Sequence, residues 1–182
     1  RRVLFRSFID GQHRVVYVSM GSLGCNDKDL LQRLLDLTAD SDYRFIFSLG
    51  PFADELKLAS NQVGAKFVPQ TKLLPLVDLV ITHGGNNSLL ESLYNGKPVI
   101  VAGLFGDQHD NAQRVCETNY GRKLNPYECS RQQLLGTIEK ILGDETIVER
   151  VRRLGERMRA SKATEAAARA IEQVALDAKS NA

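Results

Sequence analysis

The chain has 182 residues, 43% of them hydrophobic and 25% charged, with a formal net charge of +2. That length fits one domain with a buried core, and so small a net charge argues against nucleic acid or an anionic membrane as partner. No apolar run approaches the roughly 20 residues that span a bilayer, and no signal peptide is visible.

Residues 1–13 are polar and basic and read as a linker or N-terminal arm. The domain proper is expected over 14–182. RVVYVSM at 14–20 is β-branched and apolar, as in a strand buried on both faces. A helix follows, with Asn26 as N-cap and apolar Leu30, Leu31, Leu34, Leu35 and Leu37 close to helical spacing. Further strands are predicted at 43–49, 64–68, 78–82 and 98–102, and a sixth at 121–124. Helices are predicted at 87–94, 110–118, 131–142, 145–158 and 164–179, the first stopped by Asn95-Gly96. Strands alternating with helices, with apolar runs buried on both faces, mean α/β: a doubly wound parallel sheet of Rossmann-like type.

In such sheets ligands bind at the carboxyl ends of the strands, and there the polar residues gather. VSMGSLG ends the first strand in two glycines and offers the hydroxyls of Ser19 and Ser22. It is neither G-x-G-x-x-G nor a P-loop, so a plain tight turn explains it equally well. His83-Gly84-Gly85-Asn86-Asn87-Ser88 says more. Two glycines leave the next helix start unobstructed, and Asn87, Ser88 and the free amides lie at the positive end of its dipole. His83 adds a ring N–H, which makes an anion site of neutral donors plus one titratable group; a capped helix beside a core-edge histidine is the plainer alternative. Glu91 lies one helical turn beyond Asn87, placed to accept the two hydroxyls of a ribose; a solvated helix carboxylate is the plainer and commoner alternative. Asp107 and Gln108 follow the fifth strand with donors and acceptors suited to sugar hydroxyls, and Asn111 is placed to cap or support them; an N-cap aspartate that starts the next helix is the plainer alternative.

The three cysteines, Cys25, Cys116 and Cys129, form no CxxC pair and read as free thiols. Asn86-Asn87-Ser88 matches a glycosylation acceptor, but a glycan there would occupy the proposed anion site. His109-Asp110 looks like a metal pair, yet no third ligand follows at suitable spacing. No metal and no cofactor are expected. There is no G-x-S-x-G elbow, and no catalytic residue is assigned within this chain.

Together these residues resemble the signature of UDP-dependent glycosyltransferases, in the C-terminal, donor-binding half of a two-domain fold. It stands here as Phe67-Val68-Pro69-Gln70, then His83 through Glu91, then Pro98, then Asp107-Gln108. The resemblance implies an inverting enzyme that moves a hexosyl group from a UDP-sugar to a small acceptor. It implies that Phe67 stacks on uracil, where a Trp is common, and that Val68 and Gln70 lie near base and ribose. It places His83, Gly85, Asn87, Ser88 and Ser22 at the diphosphate, Glu91 on the ribose, and Asp107 and Gln108 on the sugar. The general base and the acceptor site belong to the N-terminal domain of such enzymes, so this chain is expected to bind donor without transferring it. A monomer is expected, cytoplasmic if the parent is a soluble member; a membrane-associated parent stays open, because animal members are often anchored by a C-terminal segment. The alternative is a stand-alone nucleotide-sugar-binding subunit that acts only with a partner protein. An epimerase or an NAD-binding domain fits less well, the latter for want of G-x-G-x-x-G.

Overall fold

A computed structural model describes Phe5 and residues 8–180, with side chains as far as residue 177. The expected arm, 1–13, lies partly outside these described residues. The strands are β1 (Val15–Ser19), β2 (Arg44–Ser48), β3 (Gln62–Ala65), β4 (Leu79–Thr82), β5 (Val99–Val101) and β6 (Gly121–Lys123). All neighbouring pairs are parallel, in one six-stranded sheet of order β3-β2-β1-β4-β5-β6. Every residue of β1, β4 and β5 is buried, which is why these strands read as unbroken apolar runs.

The helices are a single turn α1 (Gly21–Gly24), then α2 (Lys28–Thr38), a short α3 (Gln70–Leu73), α4 (Asn86–Tyr94) and α5 (Gln108–Glu117). They continue as α6 (Arg131–Gly143), α7 (Glu145–Ala160) and α8 (Ala163–Ser180). α2 buries Leu30, Leu31, Leu34 and Leu35 on one side, the spacing an amphipathic helix requires. α6 carries a full capping box: Ser130 accepts from the Gln133 amide, and the Gln133 side chain reaches back to the Ser130 amide. α4 and α7 approach closely at a glycine contact. A Cβ on Gly155 would lie 2.7 Å from the Gly96 nitrogen and 2.9 Å from the Leu93 oxygen.

Two local expectations are corrected. The N-cap of α2 is Asp27, whose side chain accepts from the Leu30 amide at 2.9 Å. Asn26 instead donates its side-chain amide to the Ser22 carbonyl at 3.0 Å. The third strand runs Gln62–Ala65 and not 64–68. Its first residue is a buried glutamine, which donates to the Leu35 carbonyl and to Thr38 Oγ1. After Ala65 the chain leaves the sheet, so Phe67 and Val68 lie in the segment beyond the strand end.

Asp78 stands just before β4 and pins the start of β1. Its carboxylate accepts from the Val15 amide and from Arg14 Nη1, both at 2.8 Å. This fixes the register of the two central strands at one end, so their other ends open side by side.

Candidate functional site

β1 and β4 are neighbours, yet their chains continue toward opposite edges of the sheet. A crevice forms at such a switch point, outside the carboxyl ends of the strands. The loop after β1 carries Gly21 and Ser22; the loop after β4 carries His83, Gly84 and Gly85. Ser22 is exposed at the rim, and its backbone carbonyl holds Asn26.

His83 is the centre of this cluster. Its backbone amide donates to the Ser19 carbonyl at 3.4 Å, continuing the β1–β4 pairing by one residue. Its ring lies between two glycines. A Cβ on Gly21 or on Gly85 would come closer than 3.0 Å to ring atoms. Gly21 also has φ +72°, a left-handed conformation that glycine adopts without steric cost. The imidazole is thus positioned by the absence of two side chains. Burial pushes its pKa below the ordinary histidine value, against the smaller opposing pulls of the Ser19 backbone and the Asp107 charge. His83 is therefore neutral at pH 7 and offers one ring N–H.

α4 begins immediately after this ring. Its first helical hydrogen bond runs from the Leu89 amide to the Gly85 carbonyl, so the amides of Asn86, Asn87 and Ser88 precede the ladder. Gly85 is the N-cap and supplies no side-chain cap, and the first turn holds no acidic residue. Neither a side-chain cap nor a first-turn carboxylate compensates the positive end of the helix dipole. Asn87 is exposed and Ser88 half-buried beside these amides.

Glu91 lies one turn along α4, half-buried. Gln70, at the start of α3, donates its Nε2 to Glu91 Oε2 at 2.7 Å. The other end of the same carboxamide, Oε1, accepts from the Tyr17 hydroxyl at 3.1 Å. Tyr17 is fully buried on β1, and burial pushes its pKa up to about 12. The sequence alone shows Tyr17 only as one more core residue. Phe67 is 75% exposed, while Val68 beside it is buried.

The loop after β5 closes the cluster. Asp107 occupies the N-cap position of α5 without capping it. Its Oδ2 accepts instead from Asn86 Nδ2 at 3.2 Å. Asn111 supports both sides, donating to the Gly84 carbonyl at 2.9 Å and to Asn86 Oδ1 at 3.1 Å. Gln108 is buried, and its Oε1 accepts from the Leu104 and Phe105 amides at 2.8 and 3.2 Å, which shapes the loop around it. Asn86 had no assigned role in the sequence, although its place before the Asn-Ser pair puts it at the helix start. His109 is exposed. Among the described residues no group of three or more His, Cys, Asp or Glu is arranged to hold a metal ion.

A broad open groove lies elsewhere, lined by residues such as His13, Asp42, Tyr43, Arg131, Glu139 and Lys140. It shares no residue with the strand-end cluster. Its walls carry polar side chains of both charges, whereas the strand ends hold unpaired backbone donors beside a helix dipole, the better basis for recognising an anion.

The family model described as "UDP-glucoronosyl and UDP-glucosyl transferase" matches residues 3–173. An uncharacterized UDP-glucosyltransferase of Bacillus subtilis, YojK, is 29% identical over 166 residues, 90% of this chain and 41% of that protein. Human UDP-glucuronosyltransferase 1A9 is 36% identical over 99 residues, 53% of this chain and 19% of that protein. Among solved structures, the glycotransferase of kitacinnamycin superposes with a TM-score of 0.81 at 28% identity, over 90% of this chain and 43% of the other. The calicheamicin glycosyltransferase CalG4 shares the fold, with a TM-score of 0.78 at 24% identity over 88% of this chain and 42% of the other. The chain thus spans less than half the length of these relatives. It belongs to the UDP-glucuronosyl and UDP-glucosyl transferase family, as a Rossmann-like domain homologous to the family's donor domains.

Proposed function

We propose, from that membership, that this chain is the UDP-sugar-binding domain of an inverting, two-domain glycosyltransferase acting on a small acceptor. The observation that carries the reading is the uncapped start of α4 beside the glycine-held ring of His83, at the switch point of the sheet. In this reading the diphosphate lies on the amides of Asn86, Asn87 and Ser88, with Asn87, Ser88, Ser22 and His83 donating to its oxygens. Glu91 accepts the ribose hydroxyls, Phe67 stacks on the base beside the Val68 and Gln70 backbone, and Asp107 faces the sugar, on a loop that the buried Gln108 shapes from behind.

Chemistry then follows from charge. An acceptor oxygen displaces UDP at the anomeric carbon with inversion, and negative charge grows on the departing diphosphate. Fixed amides and the His83 N–H are aimed where that charge develops, which is what lowers the barrier without a metal. The general base and the acceptor site are assigned to the part of the relatives that this chain does not span. Leu23 and Phe105, 66% and 48% exposed on the loops after β1 and β5, suit a surface facing that part. Transfer needs acceptor, base and donor held in line, so this domain alone binds donor and leaves it intact.

Calorimetric titration with UDP, UMP, UDP-glucose and NAD, without and then with a divalent metal, tests the reading. The expected result is UDP bound more tightly than UMP or NAD and no effect of metal. Equal affinity for UMP and UDP would remove the diphosphate from the α4 start, and binding of NAD alone would replace the reading altogether.

A further inference from the structure

We infer that Tyr17 is a positioning residue for nucleotide recognition: through Gln70 it aims the Glu91 carboxylate at the ribose hydroxyls. The inference rests on the proposed donor site and adds to it a residue that touches no ligand. Its ground is a chain of two hydrogen bonds, Tyr17 hydroxyl to Gln70 Oε1 at 3.1 Å and Gln70 Nε2 to Glu91 Oε2 at 2.7 Å.

The direction of this chain is set by chemistry. A carboxylate only accepts, so the amide end of Gln70 must face Glu91. The carbonyl end must then face Tyr17, whose hydroxyl donates. The phenol stays protonated at any physiological pH, since burial raises its pKa to about 12. It is held on β1, the central strand of the sheet, whereas Gln70 opens a short helix at the end of a loop. The rigid partner therefore sets the rotamer of the less rigid one. One oxygen of Glu91 is committed to Gln70, and the other is left for a ribose hydroxyl. Without the Tyr17 hydroxyl the carboxamide loses its anchor, Glu91 regains rotamer freedom, and binding must then order it again.

The test compares UDP with 2′-deoxy-UDP, which lacks one of the hydroxyls Glu91 would accept, in wild type and in Tyr17→Phe. Wild type is expected to prefer UDP. In Tyr17→Phe the preference is expected to shrink by about 3- to 10-fold, the scale of one net hydrogen bond, with a smaller loss for 2′-deoxy-UDP, which keeps the 3′-hydroxyl for Glu91. On a Glu91→Ala background, Tyr17→Phe should no longer alter UDP affinity, because the pair acts as a unit. A merely structural tyrosine would weaken both ligands alike, on both backgrounds; that result, or an unchanged preference in Tyr17→Phe, overturns the inference while leaving the donor-site reading intact. Wild type that binds no UDP overturns both. A second measurement needs no Tyr17 variant. In wild-type protein the Gln70 side-chain amide proton facing Glu91 should resonate downfield and move on Glu91→Ala. A Gln70 amide insensitive to Glu91 also overturns the relay.

Discussion

Gly85→Ala isolates the role of His83 without touching its chemistry. Gly85 has φ −63° and ψ 143°, so alanine is unstrained there and the perturbation is steric only. The new methyl would come closer than 3.0 Å to Nε2 of His83, a separation that forces the ring aside. A Cβ on Gly21 would also fall 2.4 Å from Cε1 of the ring, so the backbone there leaves the imidazole little room to slide, and it is expected to turn out of the cleft. If His83 donates to the diphosphate, its displacement removes a hydrogen bond to a charged group, about 1.5–3 kcal/mol. That is roughly a 10- to 100-fold rise in the Kd of UDP. The cost in fold stability is expected to be about 1 kcal/mol or less, the usual scale of exchanging glycine for alanine at an N-cap. The assay is calorimetry with UDP beside a thermal melt, in Gly85→Ala, His83→Ala and the double variant. Each single variant should lose affinity, and the double no more than His83→Ala alone, because removing the ring makes room for the methyl. Gly85→Ala with wild-type affinity would refute the role of the ring's position. An equal further loss in the double variant would refute the route through His83 and place the effect on the α4 amides.

Three further outcomes are expected. Asp107→Ala should weaken a UDP-sugar by about 1–3 kcal/mol, as for a lost charged hydrogen bond, and hardly change UDP; equal losses would give Asp107 the role of holding α4 through Asn86. Gly155→Ala should lower stability by about 1–3 kcal/mol, because the methyl meets the backbone of Gly96 and Leu93, read as a shift in urea midpoint; an unchanged midpoint would mean that α7 slides freely on α4. The pH dependence follows from burial of His83, which sets its folded pKa below the unfolded value of about 6.5. Between those two values the unfolded chain holds more protons, so the contribution to stability is complete above about 6.5 and is lost as pH falls through the folded value. Melts of wild type and His83→Ala on lowering the pH from about 7.5 to about 5 should show the steeper decline in wild type, and parallel declines would contradict it.

The sequence exposes those parts of this fold whose burial is one-dimensional. β1, β4 and β5 are short runs with every residue in the core, and β-branched content at so short a length favours a strand over a buried helix. α2 and α4 carry their boundaries in nearby residues. β3 misled because a hydrogen bond hid a polar residue in the core: Gln62 is 5% exposed, while apolar Phe67, which belongs to no strand, is 75% exposed. Hydropathy assigns the two the wrong way round. The N-cap of α2 slipped by one residue because Asn26 and Asp27 are equally good caps until the Ser22 carbonyl claims one of them. Tyr17 escaped for a different reason: its one informative partner, Gln70, lies 53 positions away, and the pairing exists only once β1 and the segment after β3 meet. The same holds for the two glycines around His83, which lie on different loops and share nothing in sequence but a lack of side chain.

The charges of the cluster carry one further step. Of the residues placed at the donor, none bears a fixed positive charge, His83 is neutral at pH 7, and Glu91 and Asp107 are acidic. A site that relies on lysine or arginine to hold phosphate attracts inorganic phosphate as well. Here the attraction for the anion comes from backbone amides and a helix dipole, worth about 0.3–1 kcal/mol per favourable charge near the surface. The two carboxylates work against a bare anion and in favour of one that brings hydroxyls on either side. Recognition in the proposed site is thus conditional. In that reading the diphosphate is held at α4 only when ribose and sugar hydroxyls satisfy Glu91 and Asp107 at the same time. The Tyr17–Gln70 relay serves that condition, since a carboxylate that wandered toward the diphosphate would repel the ligand it is there to select.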